Sequence, residues 1–179
     1  VFVEGFCIFG LMPYLAVLLE ARGAGGIREA GFVIAGMMVG GILFAVTVRT
    51  MLRVLRGQMN LIRAGGLAAG LGLIAYSFAG QWPLEAMAFG LTGVGFYMIH
   101  NSLQTQATEL APEARGAAVA LHAFFFFLGQ ACGPIFYQFG FTTFGQLSQT
   151  PMLIAGTAMA ILGFVVARML ARPLPAKRA

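Results

Sequence analysis

The chain has 179 residues, of which 59% are hydrophobic and only 9% charged, with a mean hydropathy of +0.86 and a formal net charge of +5. An average soluble domain is roughly 45–50% apolar and about 25% charged. Too few charges remain here to coat a water-facing surface, which excludes a soluble enzyme, and the high hydrophobicity excludes intrinsic disorder. The basic pI of 9.9 does not point to nucleic acid, since a basic footprint must lie on a folded, exposed face and these arginines fall between apolar runs.

Polar or charged punctuation divides the chain into six candidate spans, at residues 1–19, 30–48, 64–79, 82–102, 114–140 and 151–170. Each is near the ~20 apolar residues needed to cross the hydrocarbon core. Only helices or closed barrels satisfy backbone hydrogen bonds in lipid, and barrel strands would alternate polar with apolar over about ten residues. The expected fold class is therefore an all-α membrane protein, a single six-helix transmembrane bundle over residues 1–179. The 25 glycines suit it, because small residues let membrane helices approach closely. The opening Val1-Phe2-Val3 has no initiator Met and no basic region ahead of its apolar run, so a cut from a longer protein is expected rather than a signal peptide.

Positive charge sets the expected orientation, because Lys and Arg are retained on the cytoplasmic side. Arg49, Arg53, Arg56 and Arg63 follow the second span, Arg115 follows the fourth, and Arg168, Arg172, Lys177 and Arg178 fall at the end of the chain. The opposite side has Arg22 and Arg28 alone, so both termini are expected inside the cell. Trp82 suits an interfacial ring, and Pro83 a first helical turn. Glu113 precedes Arg115 where a negative charge favours a helix start. The stretch 49–63 is expected to be a cytoplasmic loop or a short surface helix.

Ionisable groups within spans are costly and usually face a cavity or a partner. Glu4 is the one carboxylate well inside a span on this division. It lies about 15 residues, or roughly 22 Å of helix, before the exit of the first span, and it is a candidate for proton exchange or a structural hydrogen bond. His122, two turns into the fifth span, shares a helical face with Phe126, Gly129 and Gln130; an imidazole titrates near neutral pH, so His122 is a candidate for a coupling proton, a substrate contact or a satisfied packing site. Tyr14 and Gln130 add uncharged polar capacity. On the fourth span Tyr97, Asn101 and Gln104 form one stripe, with His100 beside it, expected to line a cavity or inner gate or simply to meet the headgroups. Glu109 and Arg115 are candidate inner-loop contacts. Gly129, Gly133 and Pro134 combine a small-residue packing face with a lost backbone hydrogen bond, so they suit a hinge or a static kink.

Cys7 and Cys132 sit in apolar stretches without metal-ligand spacing, and no cofactor or metal is expected. Enzyme signatures such as Gly-x-Ser-x-Gly, His-Glu-x-x-His and the phosphate loop are missing from the sequence. Three classes stay open from the residues: a secondary transporter, a self-associating structural or binding module, and an intramembrane enzyme using Ser77 or Ser102.

The stretch GVGFYMIHNSLQTQATELAPEARGAAVALHAFFFFLGQACGPIF, residues 93–136, carries Pro112-x-x-Arg115-Gly116 followed by Gly129-x-x-x-Gly133-Pro134. It resembles the tenth helix, inner loop and eleventh helix of bacterial efflux-type members of the major facilitator superfamily. The first span, with Glu4-Gly5 and Pro13-Tyr14, is similar to that family's seventh helix, and the resemblance covers essentially the whole chain as a C-terminal six-helix half. The Arg-rich loop departs from the family's loop motif, lacking its Asp and Gly-Arg-Arg core. The resemblance implies alternating access, with two bundles rocking around a midplane cavity as a proton gradient drives antiport and efflux of a small molecule. It implies protons, a small-molecule substrate, the lipid bilayer and a missing N-terminal half as partners. Glu4, His122, Gln130 and Tyr14 become proton or substrate candidates, and Tyr97, His100, Asn101 and Gln104 cavity or gate candidates. The polarity of these residues hints at an amphiphilic solute.

Overall fold

The computed structural model describes residues 1–110 and 112–171; Arg172, Lys177 and Arg178, expected in the cytoplasmic tail, lie outside the described residues. The chain begins with α1 (Phe2–Cys7), passes through a 3-10 segment (Phe9–Tyr14) and continues as α2 (Leu15–Ala21). Five long helices follow: α3 (Ile27–Val54), α4 (Gln58–Ala79), α5 (Trp82–Leu110), α6 (Arg115–Phe144) and α7 (Thr150–Leu170).

The first span is therefore not one α-helix, and residues Gly10 and Pro13 explain why. Pro13 has no N–H to donate to Phe9, and glycine weakens a helix interior. The chain tightens instead, and Leu11 N–H bonds the Ile8 carbonyl at 3.4 Å, three residues back. In an α-helix that N–H would take the Cys7 carbonyl. The Tyr137 hydroxyl of α6 replaces it, donating to Cys7 O at 2.6 Å in a fully buried contact. The backbone switch is thus tied to a neighbouring helix.

The stretch expected as a loop or a short surface helix at 49–63 is instead two helix ends and a turn. Arg49 and Arg53 ride on the last turns of α3, and Arg63 on the second turn of α4. Only residues 55–57 intervene. Gly57 N–H bonds Leu52 O at 3.0 Å and Arg56 N–H bonds Arg53 O at 3.2 Å, closing the helix with Arg56 at φ 58°. This is the paired C-terminal bonding that normally places glycine at the left-handed position. The continuous helix satisfies backbone groups that a loop would leave to solvent, and the arginine side chains project outward. Similarly, α6 runs through Pro134 to Phe144 rather than ending at 140.

Five segments are long and apolar enough to cross a membrane: residues 2–21, α3, α4, α6 and α7. The expected fourth span, α5, is equally long but more polar, carrying Glu85, His100, Asn101, Gln104 and Glu109, and is not among the five. Among the described residues every regular element is helical.

Helix α5 lies between α3 and α4, and α4 packs on its other side against α7. These interfaces are close because small residues face backbone. A Cβ at Gly66 would stand 2.7 Å from the Gly163 Cα, and one at Gly93 would strike the Met37 carbonyl. The first span joins this group to α6, which makes its largest contact with α1. Leu11, Leu15, Met37, Leu73, Phe89 and Ile99 fill the shared core.

Candidate functional site: a buried carboxylate and two imidazoles

Three of the rare ionisable residues converge where α1, α5 and α6 meet. Glu4 on α1 is fully buried, and its Oε2 lies 3.2 Å from His100 Nδ1 on α5. The His100 ring meets the His122 ring of α6 edge to face, with centroids 4.9 Å apart. Glu4 Oε1 and His122 Nε2 are both buried without a hydrogen-bond partner among the described residues. Buried polar atoms are nearly always paired, so two open valences within one cluster mark a place where a proton or a polar group is to be received. His122 stands seven residues into α6, about 10 Å along the axis by helix rise, well away from the helix end.

The cluster is held by an unusually close crossing of α1 and α6. A Cβ on Gly5 would collide with the Phe126 carbonyl and stand 2.9 Å from Gln130 N; one on Gly129 would strike the Phe2 carbonyl. One turn on, Gly10 and Gly133 approach so closely that a Cβ on either would lie 2.6 Å from the other's Cα. The family-like glycine pair of α6 therefore serves as a contact face for the first span. Tyr14 OH donates to the Pro134 carbonyl at 2.8 Å, tying the same two segments together again beyond the crossing.

Aromatic rings surround the imidazoles. Phe96 and Phe126 lie 4.8 and 5.0 Å from the His100 centroid, and Phe9 packs edge-on against both rings at 5.3 and 5.1 Å. This sleeve excludes water from the carboxylate side and leaves His100 and His122 as its polar exits.

The remaining sequence candidates divide. Tyr97 packs on Gly41 of α3, and Asn101 lines a separate cleft of about 270 Å³ with Phe44 and Gln58. Gln104 is exposed. The stripe thus turns toward α3 and solvent while His100, on an adjacent helical face, turns toward Glu4. Glu109 is exposed and accepts from Gln106 Nε2 at 3.2 Å, and Arg115 is exposed at the start of α6. Gln130 lies on α6 beside the first span, lining a cavity of about 670 Å³ with Phe9 and Pro134. The cysteines are free, Cys7 buried and Cys132 half-buried.

Glu4 is not the only carboxylate buried in the bundle. Glu85, in the first turn of α5, is fully buried and accepts from Arg22 NH1 at 2.7 Å, and the same guanidinium lies 5.6 Å over the Tyr76 ring. Sequence reasoning passed over this pair because Glu85 stands next to the polar link Gly80-Gln81 and looks like an ordinary helix-start acid. The available signal was Arg22, a lone cation on the same side of the bundle.

The model for the Major Facilitator Superfamily matches residues 1–134, from the first span through the Pro134 turn of α6. The chain belongs to the major facilitator superfamily. It is a multi-pass integral membrane protein of a family whose members transport small molecules and are not enzymes. No curated protein and no solved structure matches the chain. The matched region contains all of Glu4, His100 and His122, and also Tyr14 and Gln130.

Proposed function

We propose that this chain is the C-terminal six-helix half of a proton-coupled secondary transporter that exports a small molecule by alternating access. The observation that carries the reading is the cluster of Glu4, His100 and His122, three ionisable side chains from three segments gathered apart from the bundle's other buried ionic pair, Arg22 and Glu85. Ionisable groups inside membrane helices characteristically form proton relays. Here the carboxylate and the first imidazole share a hydrogen bond, and the second imidazole supplies the next acceptor in line.

A proton arriving at His122 passes to His100 by reorientation of the two rings and then to Glu4 across their shared hydrogen bond. The return step needs only the α1–α6 crossing to loosen, since the glycine contacts and the Tyr14 to Pro134 bond hold the carboxylate in place. Helix α5 crosses the bilayer with the other five segments, carried by its neighbours α3 and α4. The arginines at the ends of α3, α4, α6 and α7 support an orientation in which that end of the bundle, with both termini, faces the cytoplasm of a bacterial cell. Helices α3 and α6 are the least enclosed of the candidate spans, which supports a second bundle as their partner in the complete transporter.

The test uses everted membrane vesicles containing the full-length transporter and acridine orange as the reporter of an acid interior. Addition of a transported solute should collapse the gradient. Glu4→Gln and His122→Ala should abolish that collapse while the solute still binds. An undiminished collapse in Glu4→Gln would remove Glu4 from coupling.

A further inference from the structure

An open trough runs along the seam between the first span and α6, beyond the wall of the charged cluster. Its widest part, about 670 Å³, lies between Phe9, Pro13 and Phe127. Through Pro134 it continues into a part of about 430 Å³, and through Tyr14 and Gln138 into a third of about 360 Å³ that reaches Gln146. Shared lining residues make the three parts one surface.

On the α6 side Gln130, Pro134, Gln138 and Thr142 form a stripe at four-residue spacing, and Gln146 follows in the turn just beyond the end of the helix. At 1.5 Å per residue the stripe positions stand about 6 Å apart, so Gln130 and Gln138 are separated by roughly 12 Å of helix, and Gln146 adds a third amide past the helix end. None of the amides is hydrogen-bonded among the described residues, while Thr142 donates to Gln138 O at 3.0 Å and Tyr14 is committed to Pro134 O. No lining residue of the three parts carries a charge. The Phe9 end is ringed by apolar side chains, and the Gln146 end is the more polar.

On the wall that this half supplies, a charged ligand would give up hydration without meeting a counter-charge, a cost of several kcal/mol. A neutral ligand with hydroxyl or amide groups would recover its hydrogen bonds from the glutamines and bury an apolar body against the rings. The carboxylate is not within reach, because Phe9 and Phe126, 5.1 Å apart, separate the trough from His100 and Glu4.

We infer that this trough is the solute subsite and that it takes an uncharged, elongated amphiphile: an aromatic or alkyl body at Phe9 and Phe127, and hydroxyl or amide groups along Gln130, Gln138 and Gln146. The inference rests on the transporter reading and adds the ligand class to it. Solute and proton then occupy different places, one aromatic layer apart, and Phe126 is the wall they share.

The experiment measures occupancy of the trough rather than transport. In the full-length protein in lipid nanodiscs, Ala131→Cys in a Cys132→Ser background places a thiol in the trough wall, and its rate of maleimide labelling is followed. Phenyl β-glucoside should slow labelling several-fold, whereas phenethylammonium and phenylacetate at the same concentration should leave it unchanged. Gln130→Leu or Gln138→Leu, whose side chains line the part of the trough the glucoside can reach, should each reduce the protection, and Glu4→Gln should retain it. Equal protection by the cation, protection insensitive to both glutamine changes, loss of protection in Glu4→Gln, or no labelling without ligand would each overturn the assignment. Protection by the glucoside without solute-driven collapse of the vesicle gradient would instead count against the transporter reading while leaving the subsite standing.

Discussion

Breaking the buried ion pair of Arg22 and Glu85 should cost far more from one side than from the other. Glu85 is fully buried and its Oε2 has no hydrogen-bond partner among the described residues, so the guanidinium 2.7 Å from Oε1 is its principal compensation. Arg22 keeps 16% of its side chain exposed and can turn toward water. At an effective dielectric constant of 20, unit charges about 4 Å apart attract by ~4 kcal/mol, and removing one member of a buried pair costs about 3–5 kcal/mol. Arg22→Met should therefore destabilise the protein by about 3–5 kcal/mol, and Glu85→Leu by only about 1–2 kcal/mol because the freed arginine resolvates. The double variant should recover most of the loss, giving a coupling of at least ~2 kcal/mol. Reversible unfolding in mixed micelles by increasing SDS reads all three. If both single variants cost under about 1 kcal/mol and their effects add, the pair behaves as an exposed one and the burial argument fails.

Three further outcomes follow from individual contacts. Gly133→Ala puts a methyl against the Phe6 carbonyl and 2.6 Å from the Gly10 Cα, so the segments must part by at least about 0.8 Å to reach ordinary contact at 3.4 Å; a loss of about 1–3 kcal/mol is expected, together with weakened proton coupling, and full retention of both would contradict the crossing. The two buried tyrosines should differ: Tyr137→Phe orphans the Cys7 carbonyl and should cost about 1–3 kcal/mol, whereas Tyr76→Phe removes a hydroxyl without a partner among the described residues and should change stability by less than about 0.5 kcal/mol in the same assay. Arg56→Gly relieves a left-handed backbone and should stabilise by about 1 kcal/mol; destabilisation would show that the arginine side chain holds the α3–α4 turn.

Five of the spans were legible in the sequence because lipid leaves helices as the only way to satisfy an isolated backbone, and apolar runs of the right length therefore specify them. The split of the first span was not read, although Gly10 and Pro13 signalled it; hydrophobicity does not register a change from four-residue to three-residue bonding when both faces stay apolar. Likewise Arg49 to Arg63 looked like a loop because charge ended the apolar run, while the helices continued beneath the arginines. Glu4, His100 and His122 were each conspicuous as ionisable residues among apolar ones. Their meeting was not, since it depends on how α1 crosses α6 and on the one-residue rotation that turns His100 away from Asn101. Arg22 and Glu85, 63 residues apart, were missed for the same reason: pairing across a bundle is a property of packing, not of spacing.

The claim that Glu4 carries an exchangeable proton is tested most directly by infrared difference spectroscopy on the membrane-embedded transporter as the pH is stepped. A Glu85→Gln background removes the second fully buried carboxyl, and deuterium exchange identifies protonated carboxyl bands. The account predicts a carboxyl band that appears and disappears with pH, vanishes in Glu4→Gln, and moves when His100 or His122 is replaced by Phe. A pH-difference spectrum unchanged by Glu4→Gln would contradict it.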